Sequence, residues 1–401
     1  MKKIIFYILE KYIPTLFNLI FVLILAKVID VEIFGRLNYY QAIIALLAFL
    51  SLESLDQLIQ TKLIKNKKSH SEIINTVIFI KMVVVLFGLF IIGVYVCFSS
   101  KVRVELFVFY LIVVFNSFNF IQSIFICNDE YKKNSYISVL VSILSFIIRM
   151  ATLYFVGEIN LYLLGVLFCI EPLFRMLSYL YLFNKLHRID IYLNRKIYRE
   201  LLFDGKYLIA SGIVLLVSAQ VDKIIVGNFL DDTIMANYAM SFKFLSLYIL
   251  LSTAINLSYV SRLDPNNENY LFTMRSMLRA SFGVGLFLGI VNYISTPHII
   301  DILYGDKFQL AGELAKILSP MILFSFITTA TGRVLVLEGL SKHALYRNAI
   351  TSVIVIPLAI LLIQSFGVEG IAYVMSVSGV IGGVLYLAIN SETRQLFKRI
   401  L

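Results

Sequence analysis

Apolar runs of about 20 residues recur from one end of the chain to the other, separated by short polar or charged stretches. Each run can cross a hydrocarbon core of roughly 30 Å as a helix. Bounding the runs by charged and turn residues predicts twelve spans, at 9–29, 38–60, 74–98, 104–127, 135–156, 161–184, 206–229, 235–260, 277–297, 312–335, 344–366 and 369–390. The pattern implies an all-α polytopic membrane protein and leaves no long polar region for a soluble catalytic domain. Pro14 lies inside the first span and no small-residue cleavage site follows it, so the span is expected to be a retained helix rather than a signal peptide.

The longest polar stretch, NKLHRIDIYLNRKIYRE from Asn184 to Glu200, separates six spans from six. It predicts an N-terminal lobe over 1–190 and a C-terminal lobe over 191–401. The two halves carry weak internal similarity, as duplicated transporters do. VIDVEIFGRL (28–37) aligns without gaps on FLDDTIMANY (229–238), which places Asp30 on Asp231, Ile33 on Ile234 and Gly35 on Ala236. A second single offset places Lys132 on Lys342 and also Gly157 on Gly367. Parallel repeats with an even number of spans imply two six-helix lobes related by an axis along the membrane normal, with a V-shaped cavity between them.

Composition agrees with the bilayer as solvent: 60% of the 401 residues are hydrophobic and 15% charged, against roughly 45–50% and 25% in soluble domains. The net charge of +10 raises the question of nucleic acid, but the basic residues sit in alternate loops. One side holds clusters such as Lys62, Lys65, Lys67 and Lys68, then Lys185, Arg188, Arg195, Lys196 and Arg199, then Arg394, Lys398 and Arg399; the other has only Lys27, Arg36, Lys101, Arg103 and Lys307. The positive-inside rule then makes both termini cytoplasmic and assigns the charge to topology and anionic headgroups, with no nucleic-acid partner. Cys97, Cys127 and Cys169 fall in predicted spans, and the four histidines are scattered without ligand spacing, so neither a metal, a cofactor nor a disulfide framework is expected. Trp is absent, and Tyr must supply any aromatic belt.

Charges inside spans carry the candidate chemistry, since each costs about 2.5–3.5 kcal/mol at the bilayer centre unless it finds a partner, water or a route to the headgroups. Lys316 and Arg333 lie near span ends and can snorkel. Glu53 and Asp56 share a helical face near the end of the second span and read as hydrated caps, with a proton site as the alternative. Lys27 either marks the interface or guards a cavity mouth. Glu171 and Arg175 stand four apart, the spacing of an intrahelical ion pair, with Pro172 between them as a bend. Lys81, Arg149, Lys223 and Lys243 have no partner within their own helices. Asp222 and Lys223 are adjacent in VSAQVDKIIVGNFL (217–230) and so point about 100° apart rather than facing each other. Each of these residues belongs either to an interhelical pair or to a cationic internal site for an anion.

Several stretches resemble the polysaccharide-export branch of the multidrug/oligosaccharidyl-lipid/polysaccharide (MOP) flippase superfamily, the O-antigen or repeat-unit (Wzx-type) flippases. LILAKVIDVEIFGRLNYY (23–40) is similar to the family's first hairpin, and AQVDKIIVGNFLDDTIMANYAMSFKF (219–244) to its seventh and eighth helices. IIDILYGDKFQLAGELAKIL (299–318) and FGVEGIAYVMSVSG (366–379) resemble the segments leading into its tenth and twelfth. The resemblance implies a flippase, not an enzyme, that moves an undecaprenyl-diphosphate-linked oligosaccharide from the cytoplasmic to the outer leaflet of a bacterial inner membrane by alternating access. Membrane lipid, a polymerase and a chain-length regulator are the implied partners, and O-antigen or capsule assembly the implied purpose. By position Lys27, Asp222, Lys223 and Lys243 match charged positions of the family; Lys81 and Arg149 do not and rest on burial alone. The expected substrate site is therefore Lys27, Lys81, Arg149, Lys223 and Lys243, with Asp222, Glu171 and Arg175 as ion-coupling groups or charge partners. Asn116, Asn119, Gln122, Gln220, Asn237 and Asn256 either bond sugar hydroxyls or join helices. Two other readings remain: a cation-coupled exporter of the same superfamily, which the basic bias disfavours, and a membrane polymerase or acyltransferase, which the sparse outer loops disfavour.

Overall fold

The computed structural model describes residues 2–65, 70–98, 103–128, 130–186, 193–260, 263 and 269–400. Among these residues no strand occurs. The α-helices are α1 (Lys2–Val28), α2 (Val31–Leu47), α3 (Asp56–Lys65), α4 (His70–Phe98), α5 (Leu106–Asn116), α6 (Gln122–Cys127), α7 (Tyr131–Phe155), α8 (Leu161–Leu186), α9 (Arg195–Phe229), α10 (Asp232–Val260), α11 (Tyr270–Tyr304), α12 (Gln309–Leu337), α13 (Ser341–Val380), α14 (Tyr386–Ile389) and α15 (Ser391–Ile400). The chain is thus all-α, and nine helical stretches among the described residues are long and apolar enough to cross a membrane. One of these stretches holds both α11 and α12. Another runs through α13, whose helix breaks at Gly367 in the positive-φ region (φ 59°) that side-chain-bearing residues rarely adopt.

Two expected spans are interrupted by 3-10 turns. Over 38–60, α2 stops at Leu47 and two short 3-10 turns follow, joined by Leu52 at φ 52°, before α3 begins at Asp56. Over 104–127, α5 stops at Asn116 and a 3-10 turn precedes α6. Both breaks fall on short polar residues, which bond to nearby backbone in place of continuing the ladder. Ser51 and Ser117 each donate to a carbonyl three residues back, at 2.7 Å and 2.6 Å. Prolines behave differently: Pro14, Pro172, Pro297, Pro320 and Pro357 all sit inside helices, as apolar membrane helices tolerate.

Helix boundaries repeat between the halves at the registers of the sequence alignment. Setting Asp30 on Asp231 puts the last residue of α1, Val28, on the last of α9, Phe229, and the first of α2, Val31, on the first of α10, Asp232. Setting Lys132 on Lys342 puts the first residue of α7, Tyr131, on the first of α13, Ser341. The same setting brings Gly157, just past the end of α7, onto the break at Gly367.

The chain divides into two compact units, one of Met1–Ile33 with Tyr40–Leu216, the other of Phe34–Tyr39 with Val217–Leu401. The expected boundary at 190–191 lies outside the described residues, as do Lys67, Lys68, Lys101, His187, Arg188 and Arg262. In the first unit α1 packs on α7 and α5 on α8, and Ile59, Leu63, Ile74, Phe120, Ile121 and Tyr179 lie in a buried cluster. In the second unit α12 is central, against α10, α11 and α13, with Met274, Met277, Ala330, Val334 and Leu335 in the core. Large apolar side chains such as Leu86, Phe87 and Phe90 remain exposed on α4; in a protein of this composition such surfaces meet lipid tails.

Close approach at one point requires a missing side chain. Within the second unit, a Cβ on Gly35 would lie 1.8 Å from the Asp232 carbonyl oxygen. The α2 segment therefore abuts the first turn of α10, where Arg36 Nε also meets Asp232 Oδ2 at 2.5 Å.

Candidate functional site

The second unit places three of the expected charges on α9 and α10. Asp222 and Lys223 project from α9 in different directions, as adjacent helical residues must. Asp222 is buried, and its Oδ2 accepts a 2.8 Å hydrogen bond from the Tyr238 hydroxyl of α10. Its Oδ1 has no partner among the described residues. Lys223 is half-buried; its Nζ donates to Gln220 Oε1 at 3.1 Å and lies 5.5 Å from the centre of the Phe242 ring. Lys243, next along α10 and also half-buried, feels the positive charge of Lys223. Among the described residues neither ammonium has a carboxylate partner. Two like charges that feel each other in a weakly screening environment, one of them over an aromatic ring, make a locus that favours an anion of more than one negative charge.

The first unit treats its cations differently. Lys81 of α4 is buried, and its Nζ reaches Asp56 Oδ1 at 2.8 Å and lies 4.8 Å from the centre of the Phe120 ring. The expectation of Asp56 as a hydrated cap beside Glu53 gives way to an ion pair between α3 and α4; Glu53 itself is exposed. Arg149 of α7 is buried and held on every side. Its Nε donates to the Leu167 carbonyl at 2.9 Å, its Nη1 to Asn18 Oδ1 at 3.4 Å, and Nη1 lies 3.6 Å from Glu171 Oε2. The rings of Phe21 and Phe168 lie 5.4 Å and 5.5 Å from its guanidinium carbon. Glu171 also takes the expected contact from Arg175, at 2.6 Å, and a 3.2 Å hydrogen bond from Ser142. Lys81 and Arg149 therefore have carboxylate partners from other helices, which their own helices do not offer. Lys27 sits in the last turn of α1 with an exposed side chain, where the helix dipole favours a cation.

Tyr238 and Phe242 shape the site and were not marked by charge; one turn apart on α10, their rings pack tilted by 52° with centroids 4.9 Å apart. Of the polar residues expected to bond sugars or join helices, Asn237 and Asn256 bond to backbone, while Asn116, Asn119 and Gln220 bond to side chains. Asn237 donates to Thr233 O at 2.9 Å and accepts from Ala311 N at 3.0 Å, Asn256 donates to Ser252 O at 2.8 Å, and Asn119 donates to Asn116 at 3.1 Å. Arg333 is half-buried and Lys316 exposed. Among the described residues no group of three or more His, Cys, Asp or Glu could hold a metal.

Membrane-length helices carrying polar and charged groups in their interiors define a polytopic membrane protein. The chain belongs to the polysaccharide biosynthesis protein family, whose profile matches residues 1–259. No curated protein matches the chain by sequence. Its fold is similar to that of the lipid II flippase MurJ in an inward closed conformation, at TM-score 0.77 and 16% identity over 99% of this chain and 90% of that one. It is also similar to an inward-facing multidrug resistance MATE family transporter of the MOP superfamily, at TM-score 0.70 and 14% identity over 98% of each chain. A MOP superfamily transporter from Pyrococcus furiosus matches at TM-score 0.63 and 13% identity over 99% of this chain and 94% of that one. The fold is thus that of the MOP flippases, and these relatives are transporters and flippases rather than enzymes.

Proposed function

We propose that this protein flips an undecaprenyl-diphosphate-linked oligosaccharide repeat unit from the cytoplasmic to the outer leaflet of a bacterial inner membrane, by alternating access, for assembly of O-antigen or capsule. Both termini lie in the cytoplasm, as the loop charges favour, and a polymerase and a chain-length regulator act after it. One observation supports the reading most: Lys223, over the Phe242 ring, and Lys243, which feels its charge, form no ion pair with a carboxylate among the described residues. Two cations held together in a membrane interior repel each other, and a diphosphate entering between them relieves that repulsion while losing its own water. Lys81 and Arg149, paired with Asp56 and Glu171, serve the fold instead. Glu171 and Arg175 stay structural with them, and Lys27 is an exposed cation in the last turn of α1.

The second reading, a cation-coupled exporter, is favoured by the open Oδ1 of Asp222. Complementation separates the two. In a strain lacking its own repeat-unit flippase, Lys223→Ala and Lys243→Ala abolish surface polysaccharide while the protein stays at wild-type level in the membrane, and Lys243→Arg retains export. Wild-type polysaccharide from both alanine variants, or restored dye efflux with no polysaccharide from the wild type, sinks the flippase assignment.

A further inference from the structure

The second unit holds a groove of about 720 Å³ whose lining shares no residue with the Lys223 and Lys243 locus. Phe282 of α11, Ile327 of α12, and Val384 and Leu387 at the end of the last helical stretch give it apolar walls. Its cations are Arg279, Arg394 and Lys398, and none of its described lining residues is acidic. Order along the helices sorts the two kinds. Arg279 precedes Phe282 by about one turn on α11, Arg394 and Lys398 lie on α15, beyond Val384 and Leu387 of the preceding helical stretch, and α11 touches α15, which brings the cations of both walls together. The groove has a basic mouth and a greasy depth.

Two further features bear on its occupant. Helix α15 turns Leu396 and Phe397 inward and leaves Arg394 and Lys398 exposed, the arrangement of a helix lying in a membrane interface. Behind the wall, Arg347 is buried and donates from Nη1 to Thr331 Oγ1, a groove residue, at 3.1 Å. Its Nε has no partner, and among the described residues no carboxylate neutralises it. The field along the groove is therefore positive, and a zwitterionic headgroup would bring its own ammonium against it.

We propose that this groove binds one anionic glycerophospholipid, with an acyl chain along Phe282, Ile327 and Val384 and the phosphate held by Arg279, Arg394 and Lys398. The volume lies in the range of roughly 300–1,000 Å³ common to small-molecule sites, and basic pockets between helices at a membrane surface select acidic headgroups. The site stands independently of the transport reading.

Native mass spectrometry of the purified full-length protein, offered equal phosphatidylglycerol and phosphatidylcholine in detergent, tests it. The wild type retains phosphatidylglycerol about tenfold or more over phosphatidylcholine, and the variant R279Q/R394Q/K398Q loses that preference. Val384→Phe and Ala388→Phe narrow the apolar part at exposed positions while leaving the cations in place, and both reduce retention with an unchanged melting temperature. Equal retention of the two lipids by the wild type, an unchanged preference in the triple variant, or full retention in both Phe variants overturns the proposal. So does displacement of phosphatidylglycerol by an equal amount of undecaprenyl phosphate, which would give the groove to a prenyl substrate.

Discussion

The Tyr238 hydroxyl donates to Asp222 Oδ2 at 2.8 Å from within the same buried layer, and it is the carboxylate's one described hydrogen bond. Tyr238→Phe strips the donor and leaves Asp222 with neither oxygen satisfied by a described residue. A hydrogen bond to a charged group contributes about 1.5–3 kcal/mol, and intramembrane bonds measured by mutant cycles fall lower, averaging about 0.6 kcal/mol. Tyr238→Phe is therefore expected to destabilise by about 1–2 kcal/mol in denaturant titrations in detergent micelles. The double variant D222N/Y238F should cost less than the sum of its parts, because the shared bond is lost only once. Strict additivity of the two single changes would mean that the bond contributes nothing.

Lys81 and Asp56 offer a sharper separation of structure from transport. Removing one member of a buried pair leaves an uncompensated charge, which costs about 3–5 kcal/mol in fully buried cases. Asp56 keeps 21% side-chain exposure, so Lys81→Ala should cost about 2–3 kcal/mol. Replacing both, as K81M/D56L, should recover most of that loss, because two apolar side chains substitute well for a buried pair. Polysaccharide export follows stability in this series: lost or lowered in Lys81→Ala, regained in the double variant. Export that stays abolished in a well-folded K81M/D56L protein would instead place Lys81 at the substrate.

The contrast between these lysines shows where the sequence is readable. Span-length apolar runs, the two-residue break at Ile29 and Asp30, and its repeat at Leu230 and Asp231 all follow from local hydropathy and turn chemistry. The Glu171 and Arg175 pair is equally local, since i and i+4 meet on any helix. Asp56 and Lys81 are not: 25 residues separate them, and a 3-10 segment with Leu52 in the left-handed region turns the chain between them and α2. Nothing in local periodicity reports that turn, because Ser51, Glu53 and Ser54 interrupt an otherwise apolar run that reads as one helix. Arg149 escapes for the same reason, its contacts coming from Asn18 and Phe21 of α1 and Leu167 and Glu171 of α8. Lys223 and Lys243 read in the sequence as Lys81 and Arg149 do, with no partner on their own helices, and nothing local separates the two that find carboxylates from the two that do not.

Gly35 is expected to tolerate no side chain. A Cβ there would stand 1.8 Å from a backbone oxygen of Asp232, and backbone in the first turn of a helix cannot swing aside as a flexible side chain can. Gly35→Ala must push α2 off α10 and lengthen the Arg36 contact with Asp232. Overpacking of this kind costs about 1–3 kcal/mol, visible as a lower midpoint in thermal unfolding of the purified protein. Ala236, which aligns with Gly35 in the other half, is itself fully buried, so Ala236→Gly should cost the helix-propensity difference of about 1 kcal/mol and about 0.8 kcal/mol for the lost methyl, with no backbone displaced. Equal unfolding midpoints for Gly35→Ala and the wild type would show that the two segments are looser than this contact requires.

Helix α15 is fastened at its first turn by Glu392, whose Oε2 accepts from His343 Nε2 at 2.8 Å and lies 3.4 Å from Lys342 Nζ. The His343 bond first, and the Lys342 charge after it, hold the Glu392 carboxyl below its ordinary value of 4.5. A carboxylate with a depressed folded-state value contributes stability that is complete above its unfolded value and is lost as pH falls through the folded one. Docking of α15 should therefore hold constant from neutral pH down to about 5 and weaken only below the ordinary carboxylate range. Hydrogen exchange over 391–400, corrected for the intrinsic pH dependence of exchange, measures it directly. Glu392→Gln should lower the protection at neutral pH to the level the wild type reaches in acid and remove its pH dependence. A wild-type profile that loses protection on alkalinisation instead, or a Gln variant that still titrates, would assign the fastening to another group.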